Sequence, residues 1–220
     1  SVTNSVVFNR LAPFNLTGVN VGYYGESFGL EGFLVNGWDA DANGLNFDED
    51  FSYGGKLGGT VGPLGLQFTY IGGKEDGTND RHVLDGVATL TFDLSDDVTL
   101  FTGGEVNVGW EDDTDPQASN DKTWWGVIST TRLLCGAFGL TFRYDYAHVP
   151  DGFPGAPAVE IKNLNLMSYT GAASYDFTDN MIARLEYRYD QSEGPNPYIL
   201  DDGRRAGDNN TFFAQFIYHW

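Results

Sequence analysis

Apolar and polar residues alternate along most of the chain. Between residues 138 and 146, the even positions hold Phe, Leu, Phe, Tyr and Tyr, whereas the odd positions hold Gly, Thr, Arg and Asp. Because successive side chains of a β-strand point to opposite faces, a period of two predicts strands. The alternation predicts about twelve strands, near residues 2–10, 15–25, 28–38, 51–62, 64–73, 81–93, 97–111, 122–134, 137–148, 161–177, 181–191 and 210–220.

The connections between the predicted strands alternate between short and long. Short connections such as LSDD and LLCGA are suited to tight turns, and the long ones are rich in Asp, Gly, Pro and Asn. A barrel with short turns at one rim and long loops at the other has this alternation, whereas a β-sandwich does not require it. We therefore predict a single domain over residues 1–220, with long acidic extracellular loops at 39–50, 72–80, 111–121, 149–160 and 192–209.

The direction of the apolar faces distinguishes two all-β folds. In a water-soluble sandwich the apolar faces would form the core, whereas in a membrane barrel they would contact lipid and the polar faces would line a lumen. The charge density of the polar faces and the alternation of the loops favour the membrane arrangement. The predicted fold is an all-β, transmembrane, antiparallel up-and-down β-barrel of about 12 strands, integral to a bacterial outer membrane.

One predicted strand, over residues 161–177, changes its alternation part way along. The apolar series passes from Leu164 and Leu166 at even positions to Tyr169 and Tyr175 at odd positions. This change predicts a β-bulge or a shorter membrane portion in that strand.

Aromatic residues gather at the ends of the predicted strands, where amphipathic rings suit the lipid headgroups. Trp124 belongs to this strand-end series, and the final strand places Phe212, Phe216 and Tyr218 on one apolar face. The predicted membrane girdle consists of Trp38, Tyr70, Trp110, Trp125, Tyr144, Tyr146, Tyr187, Tyr189 and Trp220.

Composition narrows the classes of function. The chain has 12 Lys and Arg against 31 Asp and Glu, which gives a formal net charge of −19. A charge of this sign repels phosphate backbones and excludes a nucleic-acid partner, while cations are attracted. No stretch approaches the roughly 18 to 20 apolar residues that a membrane-spanning helix requires. The one cysteine, Cys135, cannot form an intrachain disulfide and is read as a small apolar filler.

Several phrases resemble the putative beta-barrel porin-2 family of bacterial outer-membrane proteins. They include VVFNRLAPFNLTGVNVGYY, GFLVNGWDA, LTFRYDYAHVPDGF and MIARLEYRYDQSEG, together with the closing aromatic residue. The resemblance covers most of the chain from about residue 5. Members are usually longer and carry further strands before the segment that VVFNRLAPF resembles, so the chain resembles the C-terminal portion of the family pattern. It implies an outer-membrane barrel without a catalytic motif, whose last strand is recognised by the barrel-assembly machinery.

The polar faces carry a set of charged residues that we predict to line the lumen. Two readings remain open, namely a selectivity lining that orients permeating ions and a structural network that fills a narrow barrel. Charges that alternate in sign along a strand are expected to pair across neighbouring strands. The set comprises Lys56, Arg81, Asp85, Glu105, Arg132, Arg143, Asp145, Arg184, Glu186, Arg188 and Asp190.

The segment DADANGLNFDED has the spacing of a calcium-binding loop. Carboxylate and amide oxygens at positions 1, 3 and 5 can surround one hard cation, Gly44 permits the turn, and a carbonyl and a further carboxylate complete the shell. The other reading is an acidic, Asn- and Gly-rich loop without a ligand. The predicted ligands are Asp39, Asp41, Asn43, the carbonyl of Leu45, and Asp50.

These features predict a porin-like channel for passive diffusion of small hydrophilic solutes or ions, with a preference for cations. No cofactor is required; Ca²⁺ in the 39–50 loop is the one candidate. The predicted partners are outer-membrane lipid, lipopolysaccharide and the barrel-assembly machinery. The alternatives are a closed barrel that acts as a scaffold or surface-binding module through its acidic loops, and an outer-membrane enzyme. No sequence motif supports the enzyme, since His82, His148 and His219 lie in different predicted strands.

Overall fold

A computed structural model describes most of the chain. The described residues are 5, 11, 16–36, 51–75, 79–113, 121–151, 162–194, 198–199 and 205–218. Over these residues, no helix has both the length and the apolar character needed to cross a membrane.

Eleven strands form one antiparallel sheet, in which each strand pairs with the strand that follows it. The strands are β1 (Gly18–Tyr24), β2 (Phe28–Val35), β3 (Ser52–Val61), β4 (Leu64–Glu75), β5 (Asn79–Ser95), β6 (Val98–Asp113), β7 (Lys122–Cys135), β8 (Phe138–Val149), β9 (Leu164–Thr178), β10 (Met181–Glu193) and β13 (Asp208–Tyr218). A separate two-stranded ladder, β11 (Tyr198–Ile199) and β12 (Arg205–Ala206), lies between β10 and β13.

This order confirms the predicted all-β, up-and-down arrangement, with a strand number close to the predicted one. Within the described ranges, β1 and β13 are the two edges of the sheet, and no ladder joins them to each other. Of the predicted first strand, 2–10, only Ser5 is described. Ser5 lies outside the strands and is buried, and its side chain hydrogen-bonds to Asp145 on β8.

The two faces of the sheet differ in the way that a membrane barrel requires. Phe142, Leu185 and Phe216 project from the outer face and are 55%, 53% and 62% exposed. Arg143 and Glu186, their neighbours on the opposite face, are buried. A sandwich core would reverse this distribution. The predicted direction of the apolar faces is therefore confirmed.

Short turns join the strands at one rim, which we call the short-turn rim. Gly62 between β3 and β4 and Gly136 between β7 and β8 have φ values of 57° and 54°. Tight turns require such left-handed conformations, which glycine adopts without strain. We call the opposite rim, at which β2, β4, β6, β8 and β10 end, the long-loop rim.

The predicted loop at 72–80 is too long. β4 continues to Glu75 and β5 begins at Asn79, and these two residues pair with each other. Gly72 and Gly73 belong to the strand, because they pair with Tyr53 and Ser52 of β3. At Gly73 the approach is close: a Cβ atom there would lie 2.6 Å from the Cα atom of Ser52. At the other described loop ends, strands β6, β8, β10 and β13 also take residues from the predicted loops.

The change of alternation in 161–177 does not mark a bulge at that point. β9 pairs with β8 without interruption from Leu164 to Tyr175. Leu164 and Leu166 are buried on the inner face, so the outward series is at odd positions throughout. The bulge in β9 lies instead next to the short turn, where Met181 pairs with Thr178 and Ile182 with Asp176, so that Phe177 is the extra residue.

Candidate functional site: the inner face of the sheet

All eleven charged residues of the predicted set lie on the inner face of the sheet. Lys56 is exposed there, whereas the others are half-buried or buried. Their position on one face is the pattern expected from strand alternation. Their role in selectivity stays a prediction.

The wall formed by β8, β9 and β10, which we call the paired wall, contains two ion pairs. The Nε atom of Arg143 lies 3.1 Å from Oδ2 of Asp145, and Nε of Arg188 lies 2.6 Å from Oδ1 of Asp190. Arg143 Nη2 also donates to the hydroxyl of Thr170 at 3.4 Å. These pairs run along their strands, in contrast to the cross-strand pairing expected from the sequence.

The register of β9 explains this direction. Thr170 pairs with both Arg143 and Arg188, so the two arginines share one cross-strand row. Ser168 in the same way separates Asp145 from Asp190 in the next row. Because β9 contributes neutral residues to both rows, the nearest opposite charge lies two residues along the same strand.

A second charge cluster lies near the long-loop rim and does pair across strands. Glu111 accepts from Arg81 Nε at 2.6 Å and from Lys122 Nζ at 3.2 Å. The three residues occupy one cross-strand row of β5, β6 and β7 and are buried. Glu111 and Lys122 are missing from the predicted set; the predicted 111–121 loop includes Glu111 and ends next to Lys122.

The wall formed by β4, β5 and β6, which we call the acidic wall, is arranged differently. The carboxyl groups of Asp85 and Glu105 lie within hydrogen-bonding distance of each other, and the side-chain amide of Asn107 donates a hydrogen bond to Asp85. Among the described residues, no ion pair joins either carboxyl group to Lys or Arg. This wall therefore retains negative charge that faces the interior.

Between these walls and the long-loop rim lies a cluster of buried apolar side chains on the inner face, which we call the apolar layer. Trp124 is its largest member and is 1% exposed, so its placement in the strand-end aromatic series is wrong. Trp124 and Trp125 are adjacent, so only Trp125 can face lipid. The layer consists of Leu11, Val35, Ile71, Val83, Trp124, Ala147, Val149, Leu164 and Leu166.

The outer face carries aromatic belts. The described members of the predicted girdle, Tyr70, Trp110, Trp125, Tyr144, Tyr146, Tyr187 and Tyr189, all lie on it, whereas Trp38 and Trp220 lie outside the described residues. His82 stacks between Tyr70 and Trp110, with ring centroids 6.1 and 5.1 Å away, which the sequence did not indicate. Near the short-turn rim, Phe177 contacts Tyr175 and Phe216 and begins a second belt.

The predicted calcium ligands Asp39, Asp41, Asn43, Leu45 and Asp50 lie outside the described residues. In the part of the chain that the structure describes, no three His, Cys, Asp or Glu side chains gather closely enough to hold a metal ion. Calcium binding by the 39–50 loop therefore stays a prediction.

An antiparallel sheet with an apolar outer face, aromatic belts and a charged inner face defines the class of outer-membrane β-barrels. The chain belongs to the family described as "Putative beta-barrel porin-2, OmpL-like", whose sequence model matches residues 2–220. It is an outer-membrane β-barrel protein of the porin type.

A solved structure supports the fold. The chain is similar to OprD of Pseudomonas aeruginosa with a TM-score of 0.57 and 13% sequence identity, over 96% of this chain and 61% of that one. The chain thus spans less than two thirds of the length of that protein. No curated protein sequence matches it.

Proposed function

We propose that the protein is a channel for passive diffusion of small hydrophilic solutes or ions, with a preference for cations. The acidic wall carries this proposal, because Asp85 and Glu105 face the interior without a bound Lys or Arg among the described residues. Fixed negative charge in a narrow aqueous space raises the local concentration of cations and lowers that of anions. The family match and the porin fold support passage by diffusion.

Current through planar lipid bilayers tests the proposal. With the purified protein between unequal KCl solutions, we expect a steady ohmic current whose reversal potential has the sign of cation selectivity. An anion-selective reversal potential would contradict the cation preference.

The apolar layer supports a second candidate, a barrel that is closed near the long-loop rim and serves as a scaffold or surface-binding module. Apolar constrictions exclude water and can block ions. Leu11 and Trp124, which are 0% and 1% exposed, contribute to this layer.

Two adjacent tryptophans give a matched test of these candidates. Trp124→Ala removes the largest side chain of the apolar layer, whereas Trp125→Ala removes an equal volume from the outer face. If the layer restricts the pore, conductance rises in Trp124→Ala and stays unchanged in Trp125→Ala. If the parent protein and the Trp124→Ala variant both fold correctly but carry no current, the scaffold is favoured.

We also propose that β13 is the strand by which the assembly machinery recognises the protein. Phe212, Phe216 and Tyr218 are 67%, 62% and 61% exposed on the outer face, as a lipid-facing strand requires. Phe216→Ser should lower the amount of folded barrel in the outer membrane, whereas Gln215→Ser on the inner face should not.

The acidic loops are proposed to attract divalent cations and, through them, the phosphates of lipopolysaccharide. The sharpest case is the 39–50 loop. Ca²⁺ should raise the melting temperature of the parent protein and have a smaller effect on Asp39→Ala/Asp41→Ala. A parent protein without such a rise would contradict binding at this loop.

A further inference from the structure

A cavity lined by both apolar and polar side chains lies in the acidic wall, next to the apolar layer. Its volume is about 260 Å³, and Thr69, Asp85, Glu105 and Asn107 are among its lining residues. Thr69, Asp85 and Asn107 occupy one cross-strand row, because Thr69 pairs with Asp85 and Asp85 with Asn107. Glu105 lies two residues from Asn107 on β6 and belongs to the next cross-strand row on the inner face. Oxygen atoms from three neighbouring strands therefore line the same small space.

Asn107 points to a ligand independently of the acidic residues. It is 1% exposed, and its side chain hydrogen-bonds to Asp85. Its Oδ1 atom has no hydrogen-bond partner. A buried polar atom without a partner costs about 1–3 kcal/mol, and native proteins normally satisfy such atoms. Since Asn107 lines the cavity, a partner for Oδ1 is expected there.

The two carboxyl groups require an explanation as well. Asp85 and Glu105 are in hydrogen-bonding contact with each other. Two carboxylates at this separation repel each other unless a proton or a cation lies between them. The donors around the cavity are carboxylate and amide oxygens, with the hydroxyl of Thr69 beside them. Hard cations prefer oxygen ligands of this kind.

We propose that Asp85, Glu105 and Asn107 form a binding site for a hard metal cation, for which Ca²⁺ is the best match in charge. Two carboxylates balance one divalent ion. Ca²⁺ takes about 6–8 oxygen ligands, so water supplies the remainder of its shell. An ion held in this partly hydrated way can enter and leave, as conduction requires. The role of the site in conduction rests on the proposed channel function, but binding can be measured without current.

Calorimetric titration with CaCl₂ tests the site. The protein is used folded in detergent with Asp39→Ala/Asp41→Ala in every variant, so that the 39–50 loop does not contribute. We expect saturable Ca²⁺ binding by this background. Glu105→Gln and Asn107→Leu should each raise the dissociation constant by about tenfold or more, because ligand charge and number set the affinity.

Glu31→Gln is the matched control, because it removes the same charge from the inner face at a distance from the cavity. Glu31 accepts hydrogen bonds from Asn20, at 3.0 Å, and from Tyr24. Glu31→Gln should bind Ca²⁺ like the background protein. Circular dichroism and heat-modifiable gel mobility show whether each variant folds. If Asn107→Leu does not fold, the isosteric Glu105→Gln decides the outcome.

Two results would overturn the site. Background protein that binds no Ca²⁺ would mean that a shared proton holds the two carboxyl groups together. Equal affinity in Glu105→Gln and the background would place the ion elsewhere. The channel function is tested separately from the site. A barrel that carries no current but loses Ca²⁺ binding in the variants as predicted supports the site and contradicts the channel. A barrel that conducts but binds no Ca²⁺ supports the channel and contradicts the site.

Discussion

The paired wall and the acidic wall both carry carboxyl groups on the inner face, with opposite results. In the paired wall, Asp145 and Asp190 each lie within 3.1 Å of an arginine on the same strand. In the acidic wall, Asp85 and Glu105 contact each other and Asn107. The difference comes from the residue two positions along the same strand. For Asp145 and Asp190 this residue is an arginine, Arg143 or Arg188. For Glu105 and Asp85 it is Asn107 or Val87, which carry no charge.

This difference assigns different tasks to the two walls. Buried ion pairs neutralise their own field and resist separation, because each charge would be costly alone. Unneutralised carboxyl groups weaken the fold locally but act on ions in the lumen. We therefore expect the paired wall to control stability and the acidic wall to control selectivity.

The largest expected effect follows from breaking one buried pair. Arg143→Leu leaves Asp145, which is 0% exposed, without its arginine and should destabilise the barrel by about 3–5 kcal/mol. Glu105→Gln should leave stability unchanged or higher, since it removes repulsion. Urea unfolding in lipid vesicles, followed by tryptophan fluorescence, measures both.

Arg143→Leu/Asp145→Leu is the control for this prediction. Replacing both partners by apolar residues should recover much of the lost stability. Equal losses in Arg143→Leu and Glu105→Gln would remove the distinction between the two walls.

A smaller effect is expected on the outer face of the acidic wall. Phe68 is 58% exposed on β4, and Phe68→Arg should cost about 2–4 kcal/mol, because a cation is placed in lipid. Gln67→Arg, one residue away on the inner face and near Asp85 and Glu105, should cost much less. The same unfolding assay compares them, and similar losses would mean that both faces of β4 have the same environment.

The smallest expected effect is on ion selectivity. Asp85→Asn/Glu105→Gln should lower the ratio of cation to anion permeability by about two- to fivefold, because the acidic field is removed. Arg188→Gln/Asp190→Asn removes one charge of each sign and should change this ratio little. Reversal potentials in a KCl gradient measure both. A larger change in the second variant would show that the paired wall sets selectivity.

Much of the fold could be predicted from period-two alternation. The outward positions of Phe142, Leu185 and Phe216 follow from it, because each lies in a strand with one apolar and one charged face. Strand ends were harder. Gly72 and Gly73 resemble turn residues in sequence but lie in β4. A Cβ atom would clash with the side chains of Tyr70 and His82 at Gly72, and with the backbone beside β3 at Gly73.

The apolar layer could not be predicted, because alternation identifies apolar faces but does not say which way they point. Leu164 and Leu166 carry the same signal as lipid-facing leucines. Only the pairing of β9 with β8 places them inside. The contact between Asp85 and Glu105 was equally hidden, because it depends on the register between β5 and β6.

The account depends most directly on which face of each strand meets lipid. Phe216 and Gln215 are adjacent on β13 and point to opposite faces. In a Cys135→Ser background, Phe216→Cys and Gln215→Cys can be labelled in vesicles with a maleimide confined to the bilayer or with a small water-soluble maleimide. We predict that Phe216→Cys reacts with the bilayer reagent and Gln215→Cys with the water-soluble one. The reverse pattern would contradict the proposed orientation of every strand.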